Sequence, residues 1–303
     1  MDLAPITLFV YNRPWHTRQT VEALQKNELA AESELFIFSD GPKSEIDREK
    51  VLAVREYVKT ISGFKSVAVI EREHNLGLAQ SIISGVTEIV NKYGRIIVLE
   101  DDLLASRYFL DYMNTALNRY VNNEHVMQIS GYMFPIELKV NTDSVFLPFT
   151  TSWGWATWKR AWVHFDRDMK AYETLRRDSE LIHRFNLDNA YPYFKMLKAQ
   201  SEGKIDSWAI RWYLSVFMLS GLTLFPVRSL VHNIGFDGTG THGTQNDIDS
   251  SEIQRNFQVL AFPSEIEMFN TVFAECKKFL KSKKKNVLST VKEIFYEFIT
   301  KSL

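Results

Sequence analysis

The chain has 303 residues, 45% of them apolar, enough for one large domain or two small ones with a full core. Its 36 Lys and Arg against 37 Asp and Glu leave a net charge of −1, which gives no field to draw in nucleic acid and argues against it as a partner. The single cysteine, Cys276, excludes an intrachain disulfide framework and a cysteine-rich metal site, and fits a reducing compartment.

The first apolar run, Ile6 to Tyr11, reads as a strand and is far too short for a signal-peptide core or a membrane span. No longer run reaches spanning length, so the expectation is a cytoplasmic protein, at most peripheral on a membrane. Pro14 suits a first helical turn, and a helix runs from there to about Asn27. Leu35 to Phe38 is a second strand. Val51, Val54, Val58 and Ile61 form a helical stripe over 45–61. Val67 to Ile70 is a third strand, and Leu78, Ile82, Val86 and Ile89 mark the next helix. Ile96 to Leu99 is a fourth strand. Phe109, Met113, Ala116 and Tyr120 give a further helix, and Val126 to Ile129 a fifth strand. Strands and helices in this alternation predict an α/β fold with a mostly parallel sheet flanked by helices. Unbroken apolar strands agree with burial on both faces.

After Gly131 the pattern changes. Residues 131–165 are aromatic-rich with short extended runs, 166–220 are mainly helical, and 233–251 are dense in Gly, Asn, Asp, Ser and Thr, which reads as a long loop. Residues 277–285 hold six lysines. Beyond them Val287, Leu288, Val291, Ile294, Phe295 and Phe298 share one helical face. That face packs on its own domain, or it forms a basic amphipathic anchor on an anionic membrane surface.

In open parallel sheets, ligands bind outside the carboxyl ends of the strands. The residues after the first four strands are Asn12 and Arg13, then Ser39 to Pro42, then Arg72, His74 and Asn75, then Glu100, Asp101 and Asp102. Parallel strands place all four tips along one edge. Three adjacent carboxylates repel each other and are costly to desolvate. A divalent cation relieves this, and oxygen-only ligands favour Mg2+ or Mn2+, whose shell is completed by water and phosphate. The competing reading is a solvated acidic turn at a helix start. "NLGLAQSIISG", residues 75–85, carries neither a dinucleotide-binding nor a P-loop glycine pattern. Gly77 suits a tight turn and Gly85 close helix packing.

"PITLFVYNRP", "FSDGP", "NLGLAQSIISG" and "IIVLEDDLLAS", in this order and spacing, resemble the nucleotide-sugar domain of GT-A glycosyltransferases. The third is similar to a pattern of large bacterial family 2 sugar transferases. The "EDD" form, with "SWGWATWKRAW" at 152–162 and "GFDGTGTHG" at 235–243, resembles N-acetylglucosaminyltransferase I and its bacterial relatives. The resemblance spans roughly residues 4–245. It implies a Rossmann-like GT-A fold with a nucleotide-sugar-binding half over 1–130 and an aromatic-rich acceptor and catalytic half over 131–270. A basic C-terminal tail over 271–303 follows them. It implies Asp102 as the direct metal ligand, with Glu100 and Asp101 toward the ribose and sugar. Asp40 would face the base, with Asn12 and Arg13 nearby; Asn75 and Gly77 would belong to the donor loop. Asp40 also suits a plain turn before Gly41-Pro42. Trp155 would line the donor or acceptor pocket, although such tryptophans are often core. His242 would touch the diphosphate or the metal from a glycine-rich lid.

An inverting transferase needs a general base for the acceptor hydroxyl. "KIDSWAIRW", residues 204–212, resembles the family's acidic-Trp segment and offers Asp206, with Asp237 as fallback. Ser207 stands where the relatives carry a second acid. Asp206 also fits a helix N-cap. The resemblance implies a metal-dependent inverting glycosyltransferase, with UDP-sugar the commoner donor. Its acceptor would be a glycan or a lipid-linked saccharide in bacterial surface polysaccharide such as lipopolysaccharide, on the inner face of the membrane. A nucleotidyltransferase making nucleotide sugars and an inactive sugar- or nucleotide-binding module remain as alternatives.

Overall fold

The computed structural model describes residues 3–236 and 257–285. Up to residue 130 the chain alternates as its periodicity dictates. β1 (Ile6–Val10) leads into α1 (Pro14–Gln25), whose proline sits in the first turn, where no N–H partner is needed. β2 (Glu34–Ser39), α2 (Glu45–Val58), β3 (Ser66–Glu71), α3 (Leu78–Tyr93) and β4 (Arg95–Glu100) follow. A short strand, β5 (Leu103–Ala105), precedes α4 (Phe109–Arg119) and β6 (Val126–Ser130).

The extended part beyond residue 131 contains β7 (Ser144–Leu147) and β8 (Trp155–Trp158). The helical part is broken into α5 (Lys159–Trp162), α6 (Tyr172–Leu175), α7 (Ser179–Phe185), α8 (Tyr193–Ser201) and α9 (Trp208–Met218). β9 (Leu222–Pro226), β10 (Val231–Asn233) and α10 (Asn270–Lys285) complete the described elements.

Eight strands form one sheet in the order β3-β2-β1-β4-β8-β6-β9-β7. β1 is parallel to β2 and β4, and β2 to β3. β8 is antiparallel to both β4 and β6, so β6 runs with β4; β9 runs with β6, and only β7 and β8 are reversed. The mostly parallel, helix-flanked α/β sheet expected from the alternation is therefore present. The sheet also runs unbroken across residue 130: β8 inserts between β4 and β6, with Arg95 opposite Trp158 and Ile129 opposite Ala156.

β1 and β6 are buried throughout, and β4 at every residue but Arg95, as unbroken apolar runs require. The four tryptophans of 152–162 are all buried, at 3%, 1%, 2% and 5% exposure for Trp153, Trp155, Trp158 and Trp162. α10 turns Val272, Phe273, Cys276 and Leu280 into its own domain, and Phe279 stacks on Phe134 with ring centroids 5.3 Å apart. Burial pushes the Cys276 thiol up to about 12, which keeps it an inert core residue. The described part of the tail thus packs on its own domain, while the apolar face Val287 to Phe298 lies outside the described residues. Among the described residues no helix is long and apolar enough to cross a membrane.

Candidate functional site

The parallel register brings the four polar strand tips to one edge, as the alternation requires. There they frame a cavity of about 460 Å3. From the first half, Asp40, Asn75, Gly77, Glu100 and Asp101 line it; from the second half, Asp206 does. A larger cavity, about 770 Å3, lies beside the C-terminal end of α1 and segment 104–107 and gathers none of these residues.

Asp40 follows directly on β2 and is buried. Its carboxylate accepts hydrogen bonds from the main-chain N–H groups of Gly41 (3.1 Å), Leu76 (3.0 Å) and Gly77 (3.1 Å). Burial raises the Asp40 carboxyl above its ordinary range, and those three N–H groups pull against it. Asn75 donates from Nδ2 to the Gly41 carbonyl at 2.8 Å. Gly41 itself has no room for a side chain, since an added Cβ would stand 2.6 Å from the main-chain carbon of His74. The "SDG" and "NLG" segments are thereby locked together. Gly77, at φ +74°, makes the turn that starts α3. Gly77, Leu78 and Ser81 line the cavity, so the positive end of a sixteen-residue helix faces it.

The three acids of β4's tip separate by direction. Glu100 and Asp101 line the cavity. Asp102 is turned inward with its side chain 1% exposed, and its Oδ2 accepts from Arg13 Nη1 at 2.8 Å. The same guanidinium nitrogen lies 3.8 Å from Asp101 Oδ1, so Arg13 offsets the charge of two of the three acids. The end of β10 closes over this pair: Ile234 N–H donates to the Asp102 carbonyl at 2.9 Å, and Gly235 packs beside the carboxylate.

A divalent ion is implied at the acidic motif by the resemblance. The donor chemistry fits a hard ion, because two carboxylate residues, Glu100 and Asp101, line the cavity. Among the described residues, no group of three or more His, Cys, Asp or Glu converges as a ready cage. Asp102, which the resemblance gives as the direct ligand, pairs with Arg13 and is not on the cavity wall.

Asp206 projects ahead of α9 with its side chain 56% exposed, and Arg211 Nη2 donates to its Oδ1 at 2.6 Å. The cap of α9 is the next residue, Ser207, whose hydroxyl accepts from Ile210 N–H and which is fully buried. A reading of Asp206 as the cap is therefore corrected: the cap needs extended backbone and a short side chain over the first turn, and Ser207 supplies both. Ser207 does not reach the cavity; Asp206 does.

Besides Arg13 and Asp102, which pair with each other off the cavity wall, two expected site residues lie elsewhere. Asn12 donates from Nδ2 to Asp47 on α2 at 2.8 Å and is not on the cavity wall. Trp155 belongs to the core, stacked on Trp208 with centroids 5.0 Å apart, because β8 is an interior strand with no open face. Asp237, His242 and most of the 233–251 loop lie outside the described residues. Three residues escaped sequence reasoning. Lys43 lines the cavity one residue past Pro42, and Tyr11 lines it one residue past β1. Arg211 is buried and donates from Nε to the Ser207 carbonyl at 2.9 Å. The spacing from Ser207 to Arg211, one helical turn, was the available signal for the last.

No protein-family model matches the sequence, and no curated protein matches it. Among solved structures the chain is similar to the mannosyltransferase PcManGT from Pyrobaculum calidifontis in complex with GDP-Man and Mn2+. There the identity is 13%, the coverage 72% of this chain and 76% of that one, and the TM-score 0.38. It is also similar to S. aureus TarS, at 11% identity and TM-score 0.39, covering 77% of this chain but 37% of the TarS chain. S. aureus TarS 1-349 in complex with UDP-GlcNAc aligns at 12% identity and TM-score 0.30, over 48% of this chain and 40% of that one. These likenesses are distant.

Proposed function

We propose that the protein is a GT-A-type glycosyltransferase. It would move a sugar with inversion from a nucleoside-diphosphate sugar to a saccharide or lipid-linked acceptor. The observation that carries this is the meeting of Asp206, from the second half of the chain, with Asp40, Glu100 and Asp101, from the first, on one cavity. A donor site alone would not need a carboxylate from the far half. A nucleotidyltransferase would need a basic, glycine-rich loop after β1, where this chain has "YNRPWHT".

In this reading the cavity divides by chemistry. The base and ribose lie against Asp40, Asn75 and Glu100, whose carboxylates and amide match their N–H and hydroxyl groups. The start of α3 and Lys43 face the diphosphate, anion against helix N-terminus and ammonium. Asp101, with Asp102 beside it, would hold a divalent ion, Mn2+ or Mg2+. Such an ion offsets the charge that builds on the departing diphosphate. Asp206 accepts the acceptor hydroxyl's proton. Its exposed edge gives the acceptor access, and Arg211, beneath it, holds the carboxylate in one orientation. The basic residues beyond 277 suit a lipid-linked acceptor at an anionic bacterial membrane surface.

The test is release of nucleoside diphosphate from a panel of UDP-, GDP-, CDP- and dTDP-sugars, with and without Mn2+ and Mg2+. Slow metal-stimulated hydrolysis of one donor class is expected. Diphosphate release from a nucleoside triphosphate plus a sugar phosphate, with no donor hydrolysed, would move the assignment to a nucleotidyltransferase. No turnover of either kind, with a nucleotide still bound, would leave only a binding module.

A further inference from the structure

Resting on the metal-dependent reading of this cavity, we propose that Arg13 competes with the divalent cation for the Asp102 carboxylate. Arg13 would thus set the metal affinity of the site and couple metal entry to diphosphate binding. Asp102 is 1% exposed, and the Arg13 side chain pairing with it at 2.8 Å is 14% exposed. A carboxylate that deep is held ionised only against a positive charge. Arg13 supplies it through a charge-assisted hydrogen bond.

Crowding and charge both set the guanidinium and a metal ion against each other at Oδ2. A Cβ on Gly235 would lie 2.4 Å from Asp102 Oδ2, 2.9 Å from Arg13 Nη2 and 3.0 Å from Asn233 Oδ1. The backbone after β10 is therefore already pressed on the pair, which crowds Oδ2 while the guanidinium stays. Two cations on one oxygen would also repel strongly in so dry a setting. The released guanidinium has a partner close by. Its Nη1 is 3.8 Å from Asp101 Oδ1, and Asp101 lines the cavity that the diphosphate would enter. A planar fork of N–H donors suits phosphate oxygens. Arg13 would thus leave one anion for another, and removing it should act with opposite signs on metal and on nucleotide. A purely structural salt bridge predicts no such opposition.

The experiment uses the full chain and its Arg13→Gln, Arg13→Lys, Asp102→Asn and Lys43→Gln variants. Free Mn2+ is followed by EPR without nucleotide, and UDP and GDP binding by calorimetry in saturating Mn2+. Thermal melts confirm folding, and Arg13→Lys carries the test if Arg13→Gln does not fold. Losing one charge-assisted hydrogen bond to Asp102 should tighten Mn2+ binding by about tenfold in Arg13→Gln, with Arg13→Lys part way. Nucleoside diphosphate binding should weaken in the same variants, and Asp102→Asn should lower Mn2+ affinity. Equal or weaker Mn2+ binding by both Arg13 variants overturns the proposal and leaves the metal reading standing. So does unchanged Mn2+ binding by Asp102→Asn. An equal gain in Lys43→Gln, which removes a charge from the cavity without touching Asp102, reduces the effect to net charge and overturns it as well. No Mn2+ binding by the wild-type chain, with or without nucleotide, removes both the proposal and the metal reading.

Discussion

The two walls of the cavity are held by different means. On the first-half wall, Asp40 is fixed by three main-chain N–H groups, and Asn75 is tied to a main-chain carbonyl. On the second-half wall, Asp206 is half in solvent and rests on one side-chain partner, Arg211. Main-chain anchoring gives a stiff surface that can read the shape of a nucleotide. A carboxylate on a side-chain tether stays open to water and to an incoming hydroxyl, which proton transfer needs. In the proposed reading recognition and chemistry fall on opposite walls, and changes on each should affect different constants.

The largest separation is expected at Asp206. Asp206→Asn should lower turnover by about 10^2 to 10^4, the usual weight of a general base. Nucleoside diphosphate binding by calorimetry should stay near the wild-type value, because no donor contact is assigned to Asp206. Near-normal turnover would remove Asp206 from the role. Arg211→Lys keeps the charge but loses the fork that joins Asp206 Oδ1 and the Ser207 carbonyl. Its kcat should fall by about tenfold with KM little changed, and Arg211→Gln should fall further. A rise in KM at unchanged kcat would make Arg211 a binding residue.

On the opposite wall, Gly41→Ala tests stiffness. The new methyl would press on the main chain of residues 73 and 74, which cannot swing aside as a side-chain tip can. Overpacking of this kind costs about 1–3 kcal/mol. Melting temperature and nucleotide affinity should drop together, since the same loop carries Asn75 and Gly77. Lost affinity at unchanged stability would show that the loop is looser than its hydrogen bonds imply.

The first half was legible because its rules are local. Each β-rich run and helical stripe up to Ile129 found its element within a few residues, and the strand-end rule gathered Asp40, Asn75, Gly77, Glu100 and Asp101. Distances across the sheet were not legible. The insertion of β8 between β4 and β6 joins residues about sixty and thirty positions apart, and it is what buries Trp155. The pairing of β5 with β10 spans still more chain, so the cover that Gly235 places over Asp102 left no local trace. Nor did the direction of the three acids. Adjacent carboxylates read alike as letters, and the pairing of Asp102 with Arg13, eighty-nine residues earlier, is not visible in them. The tie of the Asn12 amide to Asp47 on the neighbouring helix likewise left no local trace.

The smallest expected effect concerns the charge state of the stiff wall. Burial holds the Asp40 carboxyl above its ordinary value of 3.8. The native state therefore binds that proton more tightly than the unfolded chain does. Between 3.8 and the raised value, unfolding releases the proton, so Asp40's contribution to stability is greatest below this window and declines as pH rises through it. Asp40→Asn removes the titration, and the pH–stability profile in acid should lose that downward component. The substitution also sets an amide N–H2 against one of the three main-chain donors, so the variant should be less stable than wild type at neutral pH. The two effects have separate readouts, a slope and an offset in denaturant midpoints measured from pH 4 to 8. An offset without a change of slope would mean that Asp40 titrates as it does in the unfolded chain. The N–H groups of Gly41, Leu76 and Gly77 would then fully offset its burial, and the wall would be stiffer than its hydrogen-bond lengths suggest.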